Sequence, residues 1–195
     1  MSTSNKVKYG LSRVYYAIAT IDDSTHAATY ATPKAFPGAV SMSLDHQGDL
    51  TPFRADNIDY WVGNPNNGYQ GDLEMALITD DFRKDILGEI VDANGLQVEL
   101  KDVDAVHFAL LYQFEGDKNA TRHVMYNCTA SRPSAAGQTT SDTIEPQTET
   151  VTITASSIYN TSLGQEVVKA KAHEDDAAYD DFYEAVQEPV AESES

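Results

Sequence analysis

The stretch "AVHFALLYQFEGDKNATRHVMYNCT", Ala105 to Thr129, constrains the fold more than any other part of the chain. Two runs rich in β-branched and aromatic residues flank Gly116-Asp117-Lys118-Asn119, a turn-forming quartet, so the pair reads as a β-hairpin. Phe108, Leu110, Leu111 and Phe114 make its first strand apolar on both faces. A strand of that kind is covered from both sides, which places the hairpin near the centre of a β-rich fold.

Further strands follow the same logic. Val7 to Ile21, "VKYGLSRVYYAIATI", is a first strand ended by the turn chemistry of Asp22-Asp23-Ser24. In "GYQGDLEMALITDDF", Gly68 to Phe82, large apolar residues at 69, 73, 75 and 77 alternate with Gln70, Asp72 and Glu74, the period of a half-buried strand. Thr79 then offers a cap, Asp80 and Asp81 suit the positive end of a helix dipole, and Phe82, Ile86 and Leu87 share a face, which predicts a short helix over about 80–87. Asn94-Gly95 separates "ILGEIV" from "LQVEL", where Leu96, Val98 and Leu100 alternate with polar residues, a second hairpin. "TETVTITA" sets Val151 and Ile153 against a threonine face at 148, 150, 152 and 154, and the body is expected to close there.

Between Tyr30 and Gly68 four prolines and repeated Gly, Asn and Asp predict a long, loop-rich excursion with short strands such as "VSMSLD". Trp61 lies there with Tyr60, and aromatics in such loops either pin the loop to its own domain or anchor a partner. Residues 132–143 lack apolar periodicity and read as a mobile loop. After Gly164 the composition shifts: residues 173–195 hold nine acids and no Lys or Arg, with Tyr179, Phe182, Tyr183 and Val186 at helical spacing. The expected organisation is a β domain over 1–165 and an acidic extension over 166–195, with a short amphipathic helix and a disordered end from 187 onward.

A length of 195 residues suits one domain with arms. The net charge of −18, from 13 Lys and Arg against 31 Asp and Glu, argues against a surface that grips phosphates. A lone Cys128 excludes an intramolecular disulfide framework. No apolar signal core and no membrane-length run is present, so a cytosolic chain with no membrane partner is expected. Nucleophile-elbow, zinc-protease, phosphate-loop and dinucleotide motifs are missing, and the histidines at 26, 46, 107, 123 and 173 are scattered. Asp45 and Asp49 lack the remaining ligands of a calcium loop, and Asp80-Asp81 has an ordinary dipole explanation. The expectation is no enzyme, no cofactor and no metal.

The order of features resembles one family. "KYGLSRVYYA", "TPKAFPGAVSMSL", "FRADNIDYW", "NNGYQGDLEMALITDDF", "NGLQVEL", "FALLYQFEGDKNATRHVMYNCTASRP" and "IEPQTETVTITA" together look like the major tail protein, or tail tube protein, of long non-contractile-tailed phages of Gram-positive bacteria. The similarity spans about residues 6–187, and its most weighted marks are Gly68-Tyr-x-Gly71 with "DDF", the "FALLYQFEGD" hairpin, and "YNC" with "RP" before the threonine strand.

That resemblance implies a mainly β, barrel-like β-sandwich with one packed helix, long loops and a C-terminal arm. Its copies close into hexameric rings that stack into a tail tube, enclosing the tape measure protein and conducting DNA during ejection. Further partners implied are the tail tip or baseplate and the tail terminator proteins, and the place is the virion, after assembly in the host cytoplasm. Four strands from each of six copies give a lumen of roughly 35–40 Å, wide enough for a hydrated duplex. Six copies bring on the order of a hundred negative charges to a ring, so that DNA passes as non-adhering cargo. Asp72 and Glu74 become candidate lumen or inter-subunit residues. Arg54, Asp56, Tyr60 and Trp61, in the long ordered excursion, become candidates for ring stacking. The alternative is an acidic monomeric β-sandwich binding module for carbohydrate or protein, with Trp61 as its platform.

Overall fold

The computed structural model describes residues 5–49, 51–63, 65–139 and 146–191, and over these the chain is mainly β with one short helix. In chain order the elements are β1 (Lys8–Ile21), β2 (Ala28–Tyr30), β3 (Lys34–Ala35), β4 (Ala39–His46), β5 (Thr51–Ala55), β6 (Ile58–Gly63), β7 (Tyr69–Met75), α1 (Asp80–Asp85), β8 (Ile90–Val91), β9 (Gln97–Val98), β10 (Phe108–Gly116), β11 (Thr121–Ala130), β12 (Glu149–Ser156), β13 (Ile158–Asn160), β14 (Gln165–Val167) and β15 (Lys169–Ala172). One large antiparallel sheet runs β2-β1-β10-β11-β12-β7-β4, with β3 added on β1 and β15 on β11.

The hairpin β10–β11 is central, as its composition requires: Phe108 to Gln113 are all buried. Alternate residues of β10 serve different cores, because successive side chains leave a strand on opposite faces. Phe108, Leu110 and Tyr112 join Tyr16, Phe36, Leu73, Met75, Val151 and Ile153 in a first core. Ala109 and Leu111 join Ala17, Val124, Tyr126, Tyr179 and Phe182 in a second. Strand β4 lies near β1 although the two stand far apart in the sheet order, so the sheet curls around the first core as a barrel-like sandwich. Helix α1 closes one end of it. Thr79 caps the helix, and Phe82 stacks on Phe36 with ring centroids 4.3 Å apart while meeting Tyr16 and Phe108 edge-on. Burying an aromatic of this size contributes roughly 1.5–3 kcal/mol.

Several expectations need correcting. The excursion between Tyr30 and Gly68 is largely strand, since β5 and β6 pair with each other beyond β4 and β7. Leu77 lies past the end of β7 and is exposed, because the strand stops at Met75 and the chain turns into α1. The Asn94-Gly95 turn forms, but Leu96 and Leu100 stay exposed beside the two-residue strands β8 and β9. The body does not close at β12: β14 crosses 165–166, and β15 pairs with β11. No helix forms over 173–186, where successive turns run instead, with Asp176, Tyr179 and Phe182 each donating a backbone N–H to the carbonyl three residues before. Residues 187–191 are docked, since the Tyr126 hydroxyl donates to the Gln187 carbonyl at 2.8 Å and the Ala191 N–H donates to the Ser162 hydroxyl at 3.1 Å. The expected mobile loop is free of strands over 132–139, and its residues 140–143 lie outside the described ones, as do 192–195 of the expected disordered end.

Candidate functional site

The described residues between 39 and 75 form one long hairpin. The pairing of β4 with β7 runs from Ala39↔Met75 to His46↔Tyr69, and Gln47 continues it with backbone hydrogen bonds to Asn67 and Gly68. Beyond these, among the described residues, β5 and β6 pair only with each other, from Thr51↔Gly63 to Ala55↔Ile58. The tip is Asp56-Asn57, with φ of 53° and 60°, the left-handed pair of a two-residue hairpin turn that short polar residues tolerate.

This distal arm exposes apolar residues on both faces. Phe53, Ile58 and Trp61 share one face, Val62 lies with Pro52 on the other, and Tyr60 is the extra residue of a β-bulge between the Arg54↔Asp59 and Phe53↔Trp61 pairs. Tyr60 is 70% and Trp61 61% exposed. A two-stranded hairpin is marginal in water by itself, and contiguous apolar surface marks an interaction site. All four expected stacking residues lie on the arm: Trp61 opposite Phe53, Tyr60 at the bulge, Asp56 at the tip, and Arg54 bonded to Asp59 at 2.7 Å. That exposed pair contributes under about 1 kcal/mol. Phe53, Ile58 and Val62 were not singled out from sequence, although the two-residue spacing of apolar groups either side of Asp56-Asn57 is the signal that finds them.

The outer face of β12, β7 and β4 is a polar ladder. In register across the strands stand Thr150, Glu74 and Ser41, then Thr152, Asp72 and Ser43, then Thr154, Gln70 and Asp45. Glu74 accepts from the hydroxyls of Thr148 and Ser41, each at 2.7 Å, and Asp72 accepts from Thr152 at 2.8 Å. The Thr148 and Ser41 hydroxyls hold the Glu74 carboxyl below its usual range. Asp72 and Glu74 thus share one outward, cation-free face. Among the described residues β4 pairs only with β7, so its other edge presents open backbone groups for a further strand.

The titratable groups elsewhere do not converge. His107 Nδ1 lies 2.6 Å from Asn127 Oδ1, whereas His123 stacks on Tyr112, so the two histidines serve different sites. Asp80 and Asp81 occupy the first turn of α1, and burial pushes the Cys128 thiol up to about 12. Among the described residues no three His, Cys, Asp or Glu side chains are grouped to hold a metal ion, and no helix is long and apolar enough to cross a membrane.

The family described as phage tail tube protein matches this chain over residues 3–190, a span that includes the arm, the ladder and the C-terminal segment. No curated protein matches the chain.

Proposed function

This chain belongs to the phage tail tube protein family, structural components of the virion that self-assemble into a tube, and on that premise we propose that six copies close into a ring and that such rings stack. The reading is that of a long, non-contractile tail. Its tube encloses the tape measure protein, conducts DNA at ejection, and ends on tip and terminator proteins, after assembly in the host cytoplasm.

The observation that carries this reading is the arm of β5 and β6, on which Phe53, Ile58, Tyr60, Trp61 and Val62 are all exposed and whose strands, among the described residues, pair only with each other. Burying it between rings removes this apolar surface from water, and Arg54, Asp56, Tyr60 and Trp61 are its contacts. Within a ring, the open edge of β4 is completed by a strand of the next copy, a heterologous contact that closes by rotation and hides an aggregation hazard. The adjoining ladder then faces the lumen or the subunit boundary, where Asp72 and Glu74, without nearby cations, hold phosphate off the wall.

Deleting residues 51–63 is expected to leave a folded monomer by circular dichroism that makes no tubes in negative-stain micrographs. Tubes of normal length from that variant exclude the arm as the stacking element. A monomeric binding module finds less support, because the tube-forming family matches the chain over residues 3–190, the arm included.

A further inference from the structure

Cations are scarce in this chain, and four lysines gather at one place. At the end of the first core remote from α1, Tyr112, Phe114 and His123 form an aromatic floor, with His123 lying flat on Tyr112 at 5.2 Å between centroids. Lys8 of β1 sits 4.5 Å from the Phe114 ring centre, and Lys169 of β15 sits 4.2 Å from that of Tyr69. Lys6 and Lys171 line the same open cleft of about 480 Å³ with Phe114 and His123. Among the described residues none of these four lysines has an ion-pair partner, although Lys34, Arg54, Arg83, Lys84 and Arg132 do. Of the carboxylates near this rim, Asp117 is taken up by the backbone N–H groups of Lys6 and Val7, and Asp176 by that of His173. The field is felt inside the cleft: burial first, then Lys8, Lys171 and Lys169, push His123 down to about 4.

A cationic cleft with an aromatic floor fits a segment that carries carboxylates beside apolar side chains. Such a segment follows α1. Between residues 89 and 104 the chain exposes Ile90, Val91, Leu96 and Leu100 together with Asp102 and Asp104, and holds Asp92 half-buried in its turn. It is braced from its own domain, as Arg83 pairs with Glu89 and Arg132 with Glu99. The cleft and this segment belong to opposite ends of the first core: Phe108 touches Phe82 of α1, and Phe114 lies six residues further along β10, about 20 Å away. They cannot meet within one copy, but a head-to-tail succession of copies brings them together.

We propose that the lysine cleft of one copy receives the acidic, apolar segment 89–104 of a second copy, giving successive subunits an electrostatic contact around an apolar centre; this rests on the self-assembly reading above. DNA phosphate is the other polyanion at hand. It lacks apolar side chains for the floor, and a chain of net charge −18 repels it.

The test compares wild type, Lys8→Glu/Lys171→Glu, Asp102→Lys/Asp104→Lys, and all four substitutions combined, with circular dichroism checking folding and electron microscopy and sedimentation following tubes across a salt series. Each reversed pair is expected to raise the concentration needed for assembly about tenfold or more, and the combined variant to recover most of that loss. Reversed pairs that assemble like wild type overturn the contact while leaving the tube reading intact. Loss without recovery in the combined variant overturns segment 89–104 as the occupant. Labelled duplex DNA that sediments with wild type and not with Lys8→Glu/Lys171→Glu assigns the cleft to phosphate and overturns the proposal. A wild-type chain that assembles at no salt concentration overturns the self-assembly reading, and the contact with it.

Discussion

Gly68 and Gly71 are where single residues set the geometry of the ladder of β12, β7 and β4. Gly68 has a φ of +93°, and a Cβ there would run into the Ala155 carbonyl; a Cβ on Gly71 would run into that of Ser43. The Gly-Tyr-x-Gly mark is therefore a clearance requirement on both sides of β7, which the sequence displays without revealing what approaches. Gly71→Ala is expected to force β4 away and lower stability by about 1–3 kcal/mol, read as a drop in the urea midpoint; an unchanged midpoint refutes the close approach. His123 makes a second residue-scale case. Its pKa is depressed to about 4 in the folded state against an unfolded value of 6.5, so between these values the unfolded chain binds more protons and stability falls as pH drops through that window. Above about pH 6.5 the effect is gone. In urea titrations from pH 4.5 to 7, His123→Gln is expected to flatten this part of the profile. A slope equal to that of wild type removes His123 as its cause.

At the scale of elements, the C-terminal segment departs furthest from its sequence reading. Tyr179 and Phe182 stand at helical spacing, yet no helix forms. Successive three-residue turns give almost the same period and place both rings on the second core, while a helix would have stacked acids such as Asp176 and Asp180 one turn apart. Arg122 reinforces the docking: its guanidinium lies 3.7 Å from the Tyr179 ring centre and donates to the Tyr179 carbonyl. The segment is thus the cover of the second core. Phe182→Ala is expected to cost about 3–5 kcal/mol, against under about 0.5 kcal/mol for exposed Val190→Ala, both from chemical unfolding. Equal small losses refute a covering role. The arm was misread for a related reason: prolines and Asn/Asp groups signal turns, but β5 and β6 lie between those signals.

For the whole molecule, the distribution of charge matters more than its sum. The cation-free ladder of β7, the four-lysine cleft and the acidic segment after α1 are separate surfaces, as an assembling subunit with unlike faces requires. The sequence by itself determined the β class, the central hairpin and its two-faced burial, the capped helix and the outward carboxylates at 72 and 74, because each rests on a local period of two or 3.6 residues. The tertiary structure alone decided that the sheet curls, that β15 returns to β11, that the C-terminal segment covers a second core, and that Lys6, Lys8, Lys169 and Lys171 meet. These facts pair residues up to about 165 positions apart in the chain. No local pattern encodes such a pairing; it follows from which apolar faces remain to be buried once the local elements have formed.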